Sequence, residues 1–254
     1  MINVSNSTQI IRPVATAREL SHAAAELFVS LGQQAIAARH RFTIALAGGS
    51  TPRRLYALLA KDPWRSQLDW SAVECFFGDE RAVAPEHAES NYRMAHDALL
   101  EPLAVPAQRI HRMQAERANL TAAAADYQTE LAKVFDISVD APPPVFDLVL
   151  LGLGSDGHTA SLFPHTEALS VDQAWVAANE VPQLDTRRMT LTLPVLNQAA
   201  NVIFLVTGAD KAAVLAEVLE GPSDPARLPG QSVQPSAGKL LWLVDQAAAA
   251  RLTD

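Results

Sequence analysis

Apolar and polar positions along this chain follow two different rhythms. Residues 16–39 place Leu20, Ala24, Leu27, Phe28, Leu31 and Ala35 at helical spacing, an apolar stripe along an otherwise polar helix. Thr16 followed by Glu19 reads as a capping box at its start. Residues 41–47, 73–77, 146–151, 201–206 and 240–244 are instead short, nearly continuous apolar runs. Strands buried on both faces read this way. Two further strands are predicted at 175–178 and 188–193. In the second, Arg188, Thr190 and Thr192 share one face, while Met189, Leu191 and Leu193 share the other. More helices are predicted at 52–60, 91–100 and 120–134, and from 207 onward through Val214, Leu215, Val218 and Leu219. A short final helix is predicted at 246–252. Strands alternating with helices predict an α/β fold: a doubly wound, mainly parallel Rossmann-like sheet flanked by helices, with small additions at the active-site edge. Ala141-Pro-Pro-Pro144 is too short to divide the chain, so residues 1–254 read as a single domain.

Composition narrows the function classes. The chain has 254 residues, 49% of them hydrophobic and 19% charged, which is ordinary for a globular protein. A formal net charge of -8 argues against a nucleic-acid partner held on a broad basic face. A few local Arg and Lys residues can still hold an anionic small molecule. Cys75 is the only cysteine, which excludes an intrachain disulfide, and its apolar neighbours suggest a buried, inert thiol. The opening residues lack a signal-peptide pattern, and no apolar run approaches the ~20 residues of a membrane span. The expectation is a cytoplasmic protein with no membrane partner. The oligomeric state is not determined, and a monomer is plausible.

Candidate chemistry gathers where apolar runs end. The run beginning at Phe146 breaks into Gly152-Leu-Gly-Ser-Asp-Gly-His158. Open α/β sheets bind ligands just past the C-terminal ends of their strands. Histidine as a side-chain type suits a general base, and Asp156 lies two residues from His158. The six other histidines have no comparable context, and no His/Cys/Asp cluster has zinc-ligand spacing. Gly48-Gly49-Ser50-Thr51 joins a strand to a helix, with Pro52 suited to the first helical position and Thr51 to the cap. Such a turn either presents backbone N–H groups to an anion or is simply a tight connection. It lacks the P-loop lysine and the dinucleotide fingerprint. Asp79-Glu80-Arg81 follows another strand; three consecutive charges are most often a solvated loop, but Arg81 could neutralise an anion. Lys211 lies in the first turn of a helix, where a bound anion would offset its unfavourable position.

In order along the chain, Leu46-Ala-Gly-Gly-Ser-Thr-Pro52, Phe77-Gly-Asp-Glu-Arg81, Ser90-Asn-Tyr92, Gly152 through Pro164, Arg188-Met-Thr-Leu-Thr-Leu-Pro194 and Thr207-Gly-Ala-Asp-Lys211 resemble the glucosamine-6-phosphate isomerase/6-phosphogluconolactonase superfamily, on its lactonase side. The resemblance covers nearly the whole chain. The aminosugar-phosphate deaminases of that superfamily carry a catalytic Glu five residues after the His, where this chain has Phe163. They also have Asp-Glu-Tyr where this chain has Asp79-Glu80-Arg81.

The resemblance implies hydrolysis of 6-phospho-D-glucono-1,5-lactone to 6-phospho-D-gluconate in the oxidative pentose phosphate pathway. It implies a catalytic set of His158, Asp156 and Arg81. It also implies a substrate-binding set of Gly48, Gly49, Ser50, Thr51, Asp79, Arg188 and Lys211. The adjacent Arg187 and Arg188 are distinguished only by strand register, and the motif favours Arg188. The chemistry requires no metal or organic cofactor. The alternatives are an aminosugar-phosphate deaminase or isomerase, and a non-catalytic sugar-phosphate sensor.

Overall fold

The computed structural model describes residues 9–253. Among the described residues, nine strands form two sheets. The larger contains β1 (Gln9–Val14), β2 (Phe42–Leu46), β3 (Val73–Phe77), β5 (Leu148–Leu151), β8 (Asn201–Val206) and β9 (Lys239–Asp245), in the order β1-β9-β8-β5-β2-β3. All of its pairings are parallel. The smaller is antiparallel, in the order β4-β7-β6, from β4 (Asp79–Arg81), β6 (Val176–Val181) and β7 (Thr186–Leu191). The helices are α1 (Ala17–Arg39), α2 (Ser50–Leu59), α3 (Asn91–Ala95), α4 (Leu120–Phe135), α5 (Leu193–Gln198) and α6 (Ala212–Glu220). The result is an α/β fold in which helices flank a six-stranded parallel sheet.

The central strands are apolar because they have helices or neighbouring layers on both sides. Every residue of β2, β3 and β5 is buried. Phe28, Phe42, Phe76 and Phe146 join the same core, together with Tyr56 of α2. Thr16 caps α1 by accepting the Glu19 N–H at 3.2 Å. The Glu19 carboxylate reaches back to the Ala15 N–H at 3.0 Å, one residue earlier than an ideal capping box.

Several expectations need correcting. β1 has no counterpart in the predicted elements; it is an edge strand, mostly exposed and held through one parallel pairing with β9. The Asp79-Glu80-Arg81 segment is a strand with two buried carboxylates rather than a solvated loop. The strand predicted at 188–193 runs from Thr186 to Leu191, and Leu193 instead opens α5. Thr51 does not cap α2; the helix starts at Ser50, with Gly49 as N-cap at φ 102°. Residues 246–252 form turns. They contain one i→i+4 backbone bond, Ala249 to Asp245 at 2.9 Å, too little for so short a segment to pass helix nucleation. The opening residues that carry the targeting expectation lie mostly outside the described residues. No helix among the described residues is long and apolar enough to cross a membrane.

Candidate active site

The strand order reverses at β2. β3 lies on one side of it and β5 on the other, with β8 beyond β5. A crevice opens at such a switch point, outside the carboxyl ends of the strands. A cleft of about 260 Å³ occupies it here. Its walls include Gly48, Gly49, Ser50 and Thr51 after β2, Asp79 and Arg81 of β4, His158 after β5, and Lys211 after β8. Asp156 and Arg188 are not part of this lining; Asp156 contacts His158, and Arg188 pairs with Arg81 across β4 and β7.

The turn after β2 is held open by its own helix. The Tyr56 hydroxyl accepts the Ala47 N–H at 3.0 Å and donates to the Ala47 carbonyl at 2.9 Å. Burial raises the Tyr56 pKa from its ordinary value, so this hydroxyl stays neutral. Thr51 and Thr207 hydroxyls meet at 2.8 Å, tying the turn after β2 to the turn after β8. The start of α2 therefore borders the cleft from a braced position. Lys211 lies on the same wall, 3.7 Å from Asp210.

The loop after β5 folds back on itself. The Gly154 N–H donates to the His158 carbonyl at 2.8 Å, and the Gly157 N–H to the Gly154 carbonyl at 3.1 Å. His158 Nδ1 lies 2.5 Å from Asp156 Oδ1, and the His158 N–H donates to the same oxygen at 3.2 Å. Burial alone would raise the Asp156 carboxyl. The hydrogen bond and charge of His158 outweigh it and hold that carboxyl below its ordinary value. An ionised Asp156 fixes the proton on Nδ1 and leaves Nε2 as the basic nitrogen. Gly154 is required for this geometry. A Cβ there would lie 2.0 Å from Nδ1 and 2.5 Å from Asp156 Oδ1.

The small sheet supplies the cations. Register places Arg81 directly opposite Arg188, and Asp79 opposite Thr190, so these four share one face. Burial first, and then the Arg81 charge, lower the Arg188 pKa from its ordinary value. Its buried Nε has no hydrogen-bond partner. Two like charges facing each other across a strand pair are unfavourable unless an anion joins them. Arg187 points elsewhere and donates to the Ala118 carbonyl at 3.3 Å.

Ser161 docks the His158 loop on this sheet, a role that sequence reasoning did not find. Its hydroxyl donates to Asp79 Oδ2 of β4 at 2.6 Å. Its N–H donates to Thr190 Oγ1 of β7 at 3.2 Å, and its carbonyl accepts Asn179 Nδ2 of β6 at 2.9 Å. One residue thus bonds to all three strands. Asn91 is a second residue that was missed. Its amide donates to the Asp79 carbonyl at 2.9 Å and packs where a Cβ on Gly48 would stand, 1.9 Å from Asn91 Oδ1. Glu80 accepts the N–H groups of Arg81, Asn91 and Tyr92 at 2.8 Å each, so β4 is locked to the start of α3. Burial raises the Glu80 pKa despite these donors. Ser90-Asn91-Tyr92 was visible in sequence as a motif, but its contacts with β4 were not.

The family described as glucosamine-6-phosphate isomerases/6-phosphogluconolactonase matches residues 15–242. The chain belongs to this family. Among its members, the 6-phosphogluconolactonase of Synechocystis sp. is 44% identical over 220 residues, covering 86% of this chain and 88% of its own. The human 6-phosphogluconolactonase is 40% identical over 250 residues, covering 96% and 94%. The structure of 6-phosphogluconolactonase from Trypanosoma cruzi superposes with a TM-score of 0.84 at 30% identity, over 98% of both chains. In this member of the glucosamine-6-phosphate isomerase/6-phosphogluconolactonase family, the residue five positions after His158 is Phe163. Its ring stacks on the His158 imidazole with centroids 4.1 Å apart.

Proposed function

We propose that this family member is a carboxylic ester hydrolase that opens 6-phospho-D-glucono-1,5-lactone to 6-phospho-D-gluconate, in the cytoplasm. The observation that carries the reading is the Asp156–His158 pair, set in the same cleft as an anion-ready helix start. The substrate phosphate binds the N–H groups of the Gly48 to Thr51 turn, with Arg188 and Lys211 clamping it. The cross-strand approach of Arg81 and Arg188 supports an anionic ligand between or beside them.

His158 Nε2 takes a proton from water as the water oxygen adds to the lactone carbonyl carbon. Charge collects on the former carbonyl oxygen, where Arg81 stabilises it. The tetrahedral intermediate collapses, the bond from the carbonyl carbon to the ring oxygen breaks, and His158 returns its proton to that oxygen. The new carboxylic acid then ionises and releases one proton to solvent. Asp156 holds the imidazole in the required tautomer throughout. Asp79 borders the cleft, and its carboxylate orients the loop through Ser161. Every step is carried by side chains and backbone, without a metal or organic cofactor.

The test is proton release from freshly prepared lactone, followed with a pH indicator. The protein should accelerate it, and His158→Ala should lose about 10²–10⁴-fold, the usual contribution of a positioned base. An unchanged rate in that variant overturns the mechanism. Ammonia release from glucosamine 6-phosphate would overturn the substrate assignment.

A further inference from the structure

His158 is confined on three sides. Asp156 holds Nδ1, the bare backbone of Gly154 lies against the Nδ1–Cε1 edge, and Phe163 covers one face at 4.1 Å and an interplanar angle of 26°. The imidazole is nonetheless 29% exposed, because its remaining side borders the cleft. A single hydrogen bond to Asp156 leaves an imidazole free to pivot about that contact. A flat wall on its face removes that freedom.

Phe163 is itself fixed. It is buried, and its carbonyl accepts the Thr166 hydroxyl at 2.8 Å and the Thr166 N–H at 3.3 Å. Thr166 Oγ1 in turn accepts Asn179 Nδ2 at 3.0 Å, the same amide that binds the Ser161 carbonyl. The backbone that carries this ring is thus tied to β6 by a buried chain of hydrogen bonds separate from the Asp156 contact.

We propose that Phe163 is a positioning residue for His158: its ring sets the plane of the imidazole so that Nε2 is aimed at the attacking water. The proposal rests on the lactone-hydrolase reading for its kinetic consequence, and on the stack itself for its structural one. Misplacing a reacting group by about 1 Å can cost about 10²-fold in rate, so a partial loss of aim is readable. The effect falls on the chemical step, because Phe163 lies against the base and is not among the residues that line the cleft.

Two measurements test this separately. In wild-type protein, the imidazole protons of His158 are identified by their disappearance in His158→Gln. They should be displaced upfield from those of an unstacked histidine by the ring current of Phe163, as those of His111 should be by Phe76. Phe163→Leu should abolish the displacement, and Phe163→Tyr should keep it. In lactone hydrolysis, Phe163→Leu should lower kcat about tenfold with KM within twofold, and Phe163→Tyr should restore kcat to within threefold of wild type. Undisplaced His158 signals in the wild type overturn the proposal, with no variant needed. So does an equal kcat loss in the Leu and Tyr variants, or a loss confined to KM. If wild-type protein does not hydrolyse the lactone, the functional reading fails and the imidazole signals alone decide the role of Phe163.

Discussion

Around the cleft, β2, β5 and β8 of the large sheet present almost entirely buried apolar side chains, whereas β4, β6 and β7 of the small sheet present Asp79, Arg81, Asn179, Arg188 and Thr190. The two sheets meet at one site with opposite chemistry. A parallel strand covered on both faces cannot carry a charge without burying it, so the large sheet contributes through the turns beyond its strand ends. Those turns offer backbone N–H groups and a sharply folded loop. A short antiparallel sheet with one polar face can hold charged side chains in register, and it does so here. Neither sheet alone makes a site. Ser161 joins them, because the loop that leaves the large sheet is docked on the small one by three hydrogen bonds.

This division of roles can be broken at its parts. Gly154→Ala should have the largest effect of the remaining substitutions. Its Cβ would fall 2.0 Å from His158 Nδ1, so the Asp156–His158 pair must move. Lactone hydrolysis should fall about 10²-fold in kcat. The thermal midpoint should change little, because the loop borders the cleft rather than the core. A kcat within threefold of wild type would show that the pair tolerates displacement.

Ser161→Ala attacks the junction. The Asp79 carboxylate stays buried and loses the hydroxyl bonded at 2.6 Å, while the backbone bonds of residue 161 to Thr190 and Asn179 remain. Unfolding in urea should show a loss of about 1–3 kcal/mol, the range for an unsatisfied buried acceptor. The kcat loss should be smaller than for Gly154→Ala. Equal stability to wild type would mean that the two sheets are joined by other contacts.

Asp156 should give the smallest effect, read as a dependence of stability on pH. Its folded carboxyl titrates below the ordinary value, which is about 3.9 in an unfolded chain. Its stabilising contribution is therefore fully present above that value and is lost as pH falls through the lower folded one. Asp156→Asn should be slightly less stable than wild type at pH 7, and the gap should close below about pH 4. Urea unfolding at the two pH values checks the sign. The side chain is half-exposed, so solvent screening keeps the gap small.

Legibility from sequence followed the range of the interactions. Residues 73–77 and 201–206 are strands at the predicted positions, because a strand buried on both faces announces itself in every residue. α1 was equally plain, its stripe and its Thr16 cap both lying within a few residues. β1 was missed because an exposed edge strand has no apolar signature; it exists through pairing with β9, more than two hundred residues away. The 246–252 segment was overread because alanines favour helix in any context, and here too few bonds form to nucleate one.

At the candidate site, sequence alone determined the chemical parts: a glycine turn at the end of one apolar strand, an Asp-Gly-His at the end of another, and a Phe five residues beyond that His. These are local, set by which residues can follow a buried strand and still turn. Tertiary structure alone decided how the parts face one another. The opposition of Arg81 and Arg188, and which of Arg187 and Arg188 shares a face with Arg81, depend on register between strands distant in sequence. A one-residue slip would turn those strand side chains to the other face. The Ser161 junction and the Phe163 wall depend instead on how the loop after β5 packs on the small sheet.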